Sequence, residues 1–345
     1  MLQRILPDLR SSPLAEQMFA DHLLIAAREN FWQYRILLNP RFILDNKWFP
    51  QLMAKKLRRF WDQLRAGKRP ILLLQTPPQH GKSLSVIDFI AWAVGHDPEL
   101  RVIYASFSDR LGIRANLRLQ RALANPLYQQ LFPGTRISES ATGRYLRNHE
   151  VLEFVDHEGS FRNTTVLGSI TGEALDLGVI DDPIKGREEA DSQLKRDKAW
   201  AWLTDDVFSR FSDGAGLLLV MTRWHLDDPA GRLMEHFGDR VTVVRFPAIA
   251  EHDEKHRRMG DPLFPELKSL EYLQQRRQLY TQASWESLYQ QNPIVVGGGI
   301  FPISKISVIP ERPAESQVLS VARYWDKAGC LLAGTSITKI GRAHV

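Results

Sequence analysis

Apolar positions along this chain follow two rhythms, and the change between them divides it. Up to about residue 69 the spacing is helical. Residues 14–37 are rich in helix formers, with Pro13 near the start and Asn39-Pro40 as a stop. Lys47-Trp48-Phe49-Pro50 reads as a break before a second helix over 51–65. There Leu52, Leu57, Phe60, Trp61 and Leu64 recur between Lys55, Lys56, Arg58, Arg59 and Arg65, the pattern of an amphipathic surface helix. From Pro70 onward, short apolar runs alternate with helical stretches. Strands are expected at 71–74, 101–106, 177–180, 217–221 and 241–246, and helices at 84–94, 109–124, 187–206 and 228–237. Residues 151–155 and 161–167 flank the turn at 156–159, a hairpin expected as an insertion. The alternation predicts an α/β layer with a mostly parallel central sheet behind an N-terminal helical cap.

Past residue 246 the pattern loosens into Pro247, a charged run at 251–258 and one expected helix over 270–291. Gly297-Gly298-Gly299 marks the best boundary, and strands at 306–309 and 318–325 open a further domain. The expected organisation is a helical region at 1–69, a core domain at 70–250, a linker at 251–299 and the start of a second domain at 300–345. A length of 345 residues accommodates this, since single cores rarely exceed about 250–300 residues. A content of 43% hydrophobic and 25% charged residues is that of a globular protein. Apolar runs such as 217–221 fall far short of the roughly 18 residues that span a membrane. The single cysteine, Cys330, excludes an internal disulfide and a cysteine-cluster zinc site. A net charge of +5 is compatible with a polyanion partner, but a mild basic excess is more often just a solvated surface.

The candidate chemistry begins where the first apolar strand ends. Thr76, Pro77, Pro78, Gln79, His80, Gly81, Lys82 and Ser83 join it to a helix. Strand, turn and helix N-terminus present free amides and the positive end of the helix dipole at one point, an anion site. Lys82 would add a charge for β- and γ-phosphates and Ser83 a hydroxyl for Mg2+, although Thr76 stands where the usual phosphate-loop pattern has its first glycine. About 100 positions later, the strand at 177–180 delivers Asp181 and Asp182. Buried carboxylates need a metal, a base or water, and here they suit a Mg2+ ligand followed by a carboxylate that positions the attacking water. The plainer alternative is two acids capping the turn into Pro183. The strand at 217–221 delivers Thr222 and Arg223 to the same sheet edge, where a polar residue can sense a γ-phosphate; alternatively Thr222 satisfies a turn. His225 has no second histidine or cysteine at ligand spacing and reads as a surface or supporting histidine.

Together these motifs resemble the large subunit of tailed-bacteriophage terminases. The resemblance rests on the 76–83 loop, Ile180-Asp-Asp-Pro-Ile-Lys185 with Arg187-Glu-Glu-Ala-Asp-Ser192, Met221-Thr-Arg-Trp-His225, Leu288-Tyr-Gln-Gln-Asn-Pro293 and Tyr324-Trp-Asp-Lys-Ala328, in order from about residue 40 to the end. It implies a P-loop NTPase that binds ATP and Mg2+ and drives double-stranded DNA into a procapsid. It also implies a C-terminal ribonuclease-H-like endonuclease using two divalent metals, Mg2+ or Mn2+. The implied partners are DNA, the portal protein, a small terminase subunit and further copies in a ring, in the host bacterial cytoplasm and with no membrane. Carried over, Lys82 binds phosphates, Ser83 and Asp181 hold Mg2+, Asp182 is the catalytic carboxylate, where many members have glutamate, and Thr222 with Arg223 form the coupling motif. Asp326 matches the first metal-binding aspartate of the nuclease. Many members carry arginine at the position of Gln79, so the arginine that stabilises transition-state charge is expected elsewhere, with Arg114, Arg118, Arg121 or a neighbouring subunit as candidates. No Asp or Glu follows Asp326, and the ending Ile340-Gly-Arg-Ala-His-Val345 resembles translated adaptor DNA, so a truncated nuclease with non-native last residues is expected. Two other readings stay open: a helicase-type ATPase without nuclease, and a non-catalytic P-loop scaffold.

Overall fold

The computed structural model describes residues 13–39, 48–140, 143–294, 321–326 and 339–344. The chain divides into two compact units, 1–296 and 297–345. In the first, α1 (Pro13–Glu29), α2 (Phe31–Leu38) and α3 (Trp48–Arg65) precede the sheet. The expected single helix over 14–37 breaks at Asn30, whose carboxamide accepts from the amides of Trp32 and Gln33 and so starts α2. The expected break at Trp48–Pro50 is instead the first turn of α3. Proline is tolerated there because first-turn amides lack helical partners in any case. As expected of an amphipathic helix, α3 buries Met53, Leu57, Phe60, Trp61 and Leu64 and leaves Lys55, Arg59 and Arg65 exposed.

The sheet contains β1 (Ile71–Gln75), β2 (Arg101–Ser106), β3 (Val151–Glu153), β4 (Ser160–Thr165), β5 (Leu175–Asp181), β6 (Phe211–Met221) and β7 (Val241–Arg245) in the order β3-β4-β2-β5-β6-β1-β7. All pairs are parallel except β3–β4, so the expected mostly parallel α/β layer is what the chain forms. The hairpin is not an insertion. Its second strand, β4, pairs in parallel with β2 and extends the sheet, leaving β3 as the edge. Period-two alternation sorts the strand residues onto two cores. Leu72, Leu74, Val102, Tyr104, Leu177, Val179, Leu218 and Val220 meet α3, α4 (Lys82–His96) and α5 (Asp109–Leu123). Ile71, Leu73, Ile103, Leu217, Leu219 and Met221 meet Trp202, Leu203 and Leu233 on the other face.

Further helices are α6 (Pro126–Leu131), α7 (Arg187–Asp191), α8 (Gln193–Ala201), α9 (Pro229–Phe237), α10 (Leu270–Leu279) and α11 (Gln282–Leu288). The stretch expected as one helix over 187–206 divides at Ser192, which caps α8, and ends in a π-turn over Trp202–Val207. The helix expected over 270–291 divides where the Thr281 hydroxyl caps α11. Residues 248–291 are not a loose connector: Ala248, Leu273, Trp285 and Tyr289 form a small core of their own. Their segment is hydrogen-bonded to the sheet-edge loops at Gln79, Arg187 and Arg223.

In the second unit β8 (Val321–Asp326) pairs antiparallel with β9 (Lys339–His344), Asp326 lying opposite Lys339. The Asp326 side chain, Cys330, the glycines 297–299 and the strand expected at 306–309 lie outside the described residues. Among those described, no helix is long and apolar enough to cross a membrane.

Candidate nucleotide site

Strand order brings the motifs together. β6 lies between β5 and β1, and the register sets Gln75 beside Met221 and Asp181 beside Val220. The 76–83 turn, the Asp181-Asp182 pair and Thr222 therefore leave the sheet at one carboxyl edge, where ligands of open α/β sheets bind. Gly81 adopts φ 81° as the residue before α4, and no side chain caps this helix. Gln79 (φ 60°) and Asp182 (φ 50°) also sit in the left-handed region, uncommon for side chains other than glycine. Such conformations cluster at ligand clamps, and here they occur in the two loops that face each other.

Lys82 Nζ lies 2.7 Å and 2.6 Å from the two oxygens of Asp182. Asp182 Oδ1 also accepts from the Thr222 amide at 3.0 Å, with the Thr222 hydroxyl at 3.5 Å. Lys82, Asp182 and Thr222 thus form one contact chain linking three strand ends. Asp181 is buried; its Oδ2 accepts from the Tyr104 hydroxyl at 2.6 Å, and its Oδ1 has no partner. Burial and the neighbouring Asp182 push the Asp181 carboxyl up, while Lys82, Ser83 and Tyr104 oppose them. A cavity of about 700 Å³ is lined by Ser83, Asp181 and Asp182 on one side and by Arg114, Arg118 and Arg121 of α5 on another. The three arginines proposed from sequence therefore face the same space as the carboxylates.

In the turn itself Thr76 and His80 are buried. His80 Nδ1 hydrogen-bonds the Pro78 carbonyl at 2.9 Å, and burial lowers its pKa to about 4, so it is neutral near pH 7. Gln79 Oε1 accepts from Lys268 Nζ at 2.8 Å, which brings a cation from the 248–291 segment to the phosphate-loop turn.

Arg223 follows Thr222 at the carboxyl end of β6, as expected, but its side chain turns to other partners. It is buried, its Nε lies 2.8 Å from Asp228 Oδ2, and its Nη2 faces the carbonyls of His225 and Leu226. Its charge is committed to the turn entering α9, where Asp228 also caps the helix through the Gly231 amide, and not to the phosphate loop. His225 is likewise a turn residue, its Nδ1 accepting from the Asp227 amide.

The family model for the terminase large subunit, T4likevirus-type, N-terminal, matches residues 73–308, the span holding every residue of this site. The chain belongs to the terminase large-subunit family. Among solved structures it is similar to the large terminase of a thermophilic bacteriophage in complex with ATP-gamma-S (15% identity, 79% of this chain, 60% of that one, TM-score 0.42). It is also similar to the Thermus phage P74-26 large terminase ATPase domain (14%, 65% and 88%, 0.43) and to the HK97 bacteriophage large terminase (12%, 53% and 36%, 0.37). The chain thus spans less than two thirds of the HK97 terminase and of the ATP-gamma-S-bound one. No curated protein matches it.

The residues of this terminase site fit a hard divalent cation at the carboxylate end. Ser83 and Asp181 offer only oxygen, and Asp181 Oδ1 is a buried acceptor without a partner; Mg2+ takes such donors, keeping several waters. Among the described residues no group of three or more His, Cys, Asp or Glu could hold a metal by itself, so a cation here would share its shell with phosphate oxygens. Sequence reasoning missed Tyr104 and Lys268. Tyr104 occupies an apolar-phase position of β2 and looks like core. Lys268 lies 189 residues from Gln79, with no local signal to connect them.

Proposed function

We propose that this chain is the ATP-hydrolysing motor part of a large terminase that translocates double-stranded viral DNA into a procapsid. The observation that carries the reading is the contact chain Lys82–Asp182–Thr222 across three adjacent strand ends beside Ser83 and Asp181. In this reading the turn 76–83 wraps the phosphates, with Lys82 on the β- and γ-phosphates. Ser83 and Asp181 would hold Mg2+, which when bound would neutralise charge developing on the transferred phosphoryl group. Phosphate oxygens compete with Asp182 for Lys82, and a released Asp182 is free to orient the attacking water and accept its proton. Thr222 reports the position of Asp182 to β6. Arg114, Arg118 or Arg121 supplies the cation that Gln79 does not, with Lys268 holding the turn.

The coupling role reaches Arg223 only indirectly, through the turn it braces. Arg187 extends the path: it donates to the Trp224 carbonyl and to Ala283 and Ser287 of α11, joining the loop after Asp182, the exit of β6 and the 248–291 segment. The wider assignments belong to the same proposal: a ring on the portal protein, delivery by a small subunit, action in the host bacterial cytoplasm, and a two-metal nuclease beginning with Asp326. Steady-state ATP hydrolysis with and without double-stranded DNA tests the core of it. DNA-stimulated turnover that is abolished in Lys82→Ala, with the fold intact by circular dichroism, is the expected result. Equal turnover in both proteins defeats the reading, and no turnover in either favours the scaffold.

A further inference from the structure

Tyr104 carries a feature that packing does not explain. Its side chain is buried on the α3–α5 face of the sheet, against Phe161 at a centroid distance of 6.1 Å. Phenylalanine would fill that place equally well, so the hydroxyl has to be accounted for by its partner. That partner is Asp181 Oδ2, at 2.6 Å. β2 and β5 are in register with Tyr104 beside Val179 and Ser106 beside Asp181, which makes Asp181 the same-face diagonal neighbour of Tyr104. Long aromatic side chains reach such neighbours. A phenol donates one hydrogen, and with Oδ2 held by it Asp181 keeps Oδ1 as its bare acceptor.

We propose that Tyr104 is a positioning residue for the metal carboxylate, pinning one oxygen of Asp181 so that the other is presented, already oriented, to the divalent cation that accompanies the nucleotide. The proposal rests on the nucleotide reading of the site and adds to it a residue from a strand outside the recognised motifs. Partners of this kind fix the rotamer of a ligating carboxylate, and their loss typically weakens metal binding about 10–100-fold. Without the phenol, Asp181 can rotate about its side-chain torsion, and the cation must order it on binding.

The test is Tyr104→Phe, which keeps the ring and removes only the hydroxyl. ATP binding to the full chain is measured by calorimetry across a Mg2+ titration, and again in EDTA, with thermal unfolding of both proteins recorded in EDTA. The expected result is a Mg2+ half-saturation raised about ten-fold or more, with ATP affinity in EDTA unchanged. A variant that melts lower yet keeps the wild-type Mg2+ dependence shows a purely structural hydroxyl and overturns the proposal. Equal weakening with and without Mg2+ also overturns it, because the effect is then on the nucleotide pocket as a whole. Wild-type protein that binds no ATP under either condition defeats the nucleotide reading itself, an outcome distinct from a failure of Tyr104.

Discussion

Replacing Asp182 with asparagine separates two roles of one carboxylate. Asp182 accepts from Lys82 at 2.6–2.7 Å and from the Thr222 amide at 3.0 Å. The side chains of Lys82 and Asp182 are 9% and 25% exposed, so the pair is only weakly screened by solvent. Asparagine keeps the shape and the bond from Thr222 but removes the charge that balances Lys82. A hydrogen bond to a charged group contributes about 1.5–3 kcal/mol, so nucleotide-free Asp182→Asn should lose roughly that stability and melt a few degrees lower. The same quantity reappears in binding with the opposite sign. In the wild type, phosphates must draw Lys82 away from Asp182; in the variant Lys82 has no such competitor, and at 1.4 kcal/mol per decade ATP should bind roughly ten-fold tighter or more. Turnover should move against affinity, falling about 10²–10⁴-fold with the loss of the proton acceptor. Differential scanning fluorimetry, calorimetry with a non-hydrolysable ATP analogue and steady-state hydrolysis measure the three quantities. Asp182→Asn that binds the analogue no tighter than wild type, or keeps turnover within about ten-fold, would refute the exchange of Lys82 between carboxylate and phosphate.

Two further outcomes concern the braces around the site. Arg223→Ala should cost about 3–5 kcal/mol by leaving Asp228 buried and unpaired, read as a lowered denaturant midpoint, whereas a residue poised toward the nucleotide would lower turnover at unchanged stability. Hydrogen bonds from Arg232, and secondarily from Arg196, hold Asp227 at about pKa 2, below the usual aspartate value near 3.9. Because the folded pKa is the lower one, this contribution to stability is present above about pH 4 and is lost as pH falls toward 2. Asp227→Asn should therefore flatten the acid limb of the melting-temperature profile, and an unchanged slope between those values would count against the Arg232 contact as its cause.

Local pattern along the chain set the layer and the addresses of the chemistry. Short apolar runs such as residues 71–74 fit strands buried on both faces, and their alternation with helices points to a parallel sheet. Residues 76–83, Asp181, Asp182 and Thr222 were legible because each sits where a buried strand ends, a local pattern. Tertiary structure decided what those residues touch. That Lys82 pairs with Asp182, that Arg223 is spent on Asp228, and that Lys268 reaches Gln79 depend on side-chain partners 100, 5 and 189 positions away. Chain rhythm fixes which face a residue points to but not which residue faces it. Periodicity cannot reveal that β4 lies beside β2, so from the sequence alone the hairpin reads as an insertion. Tyr104 was hidden for the converse reason: its ring obeys the apolar rhythm, and only the packing of β2 against β5 gives its hydroxyl a carboxylate to hold.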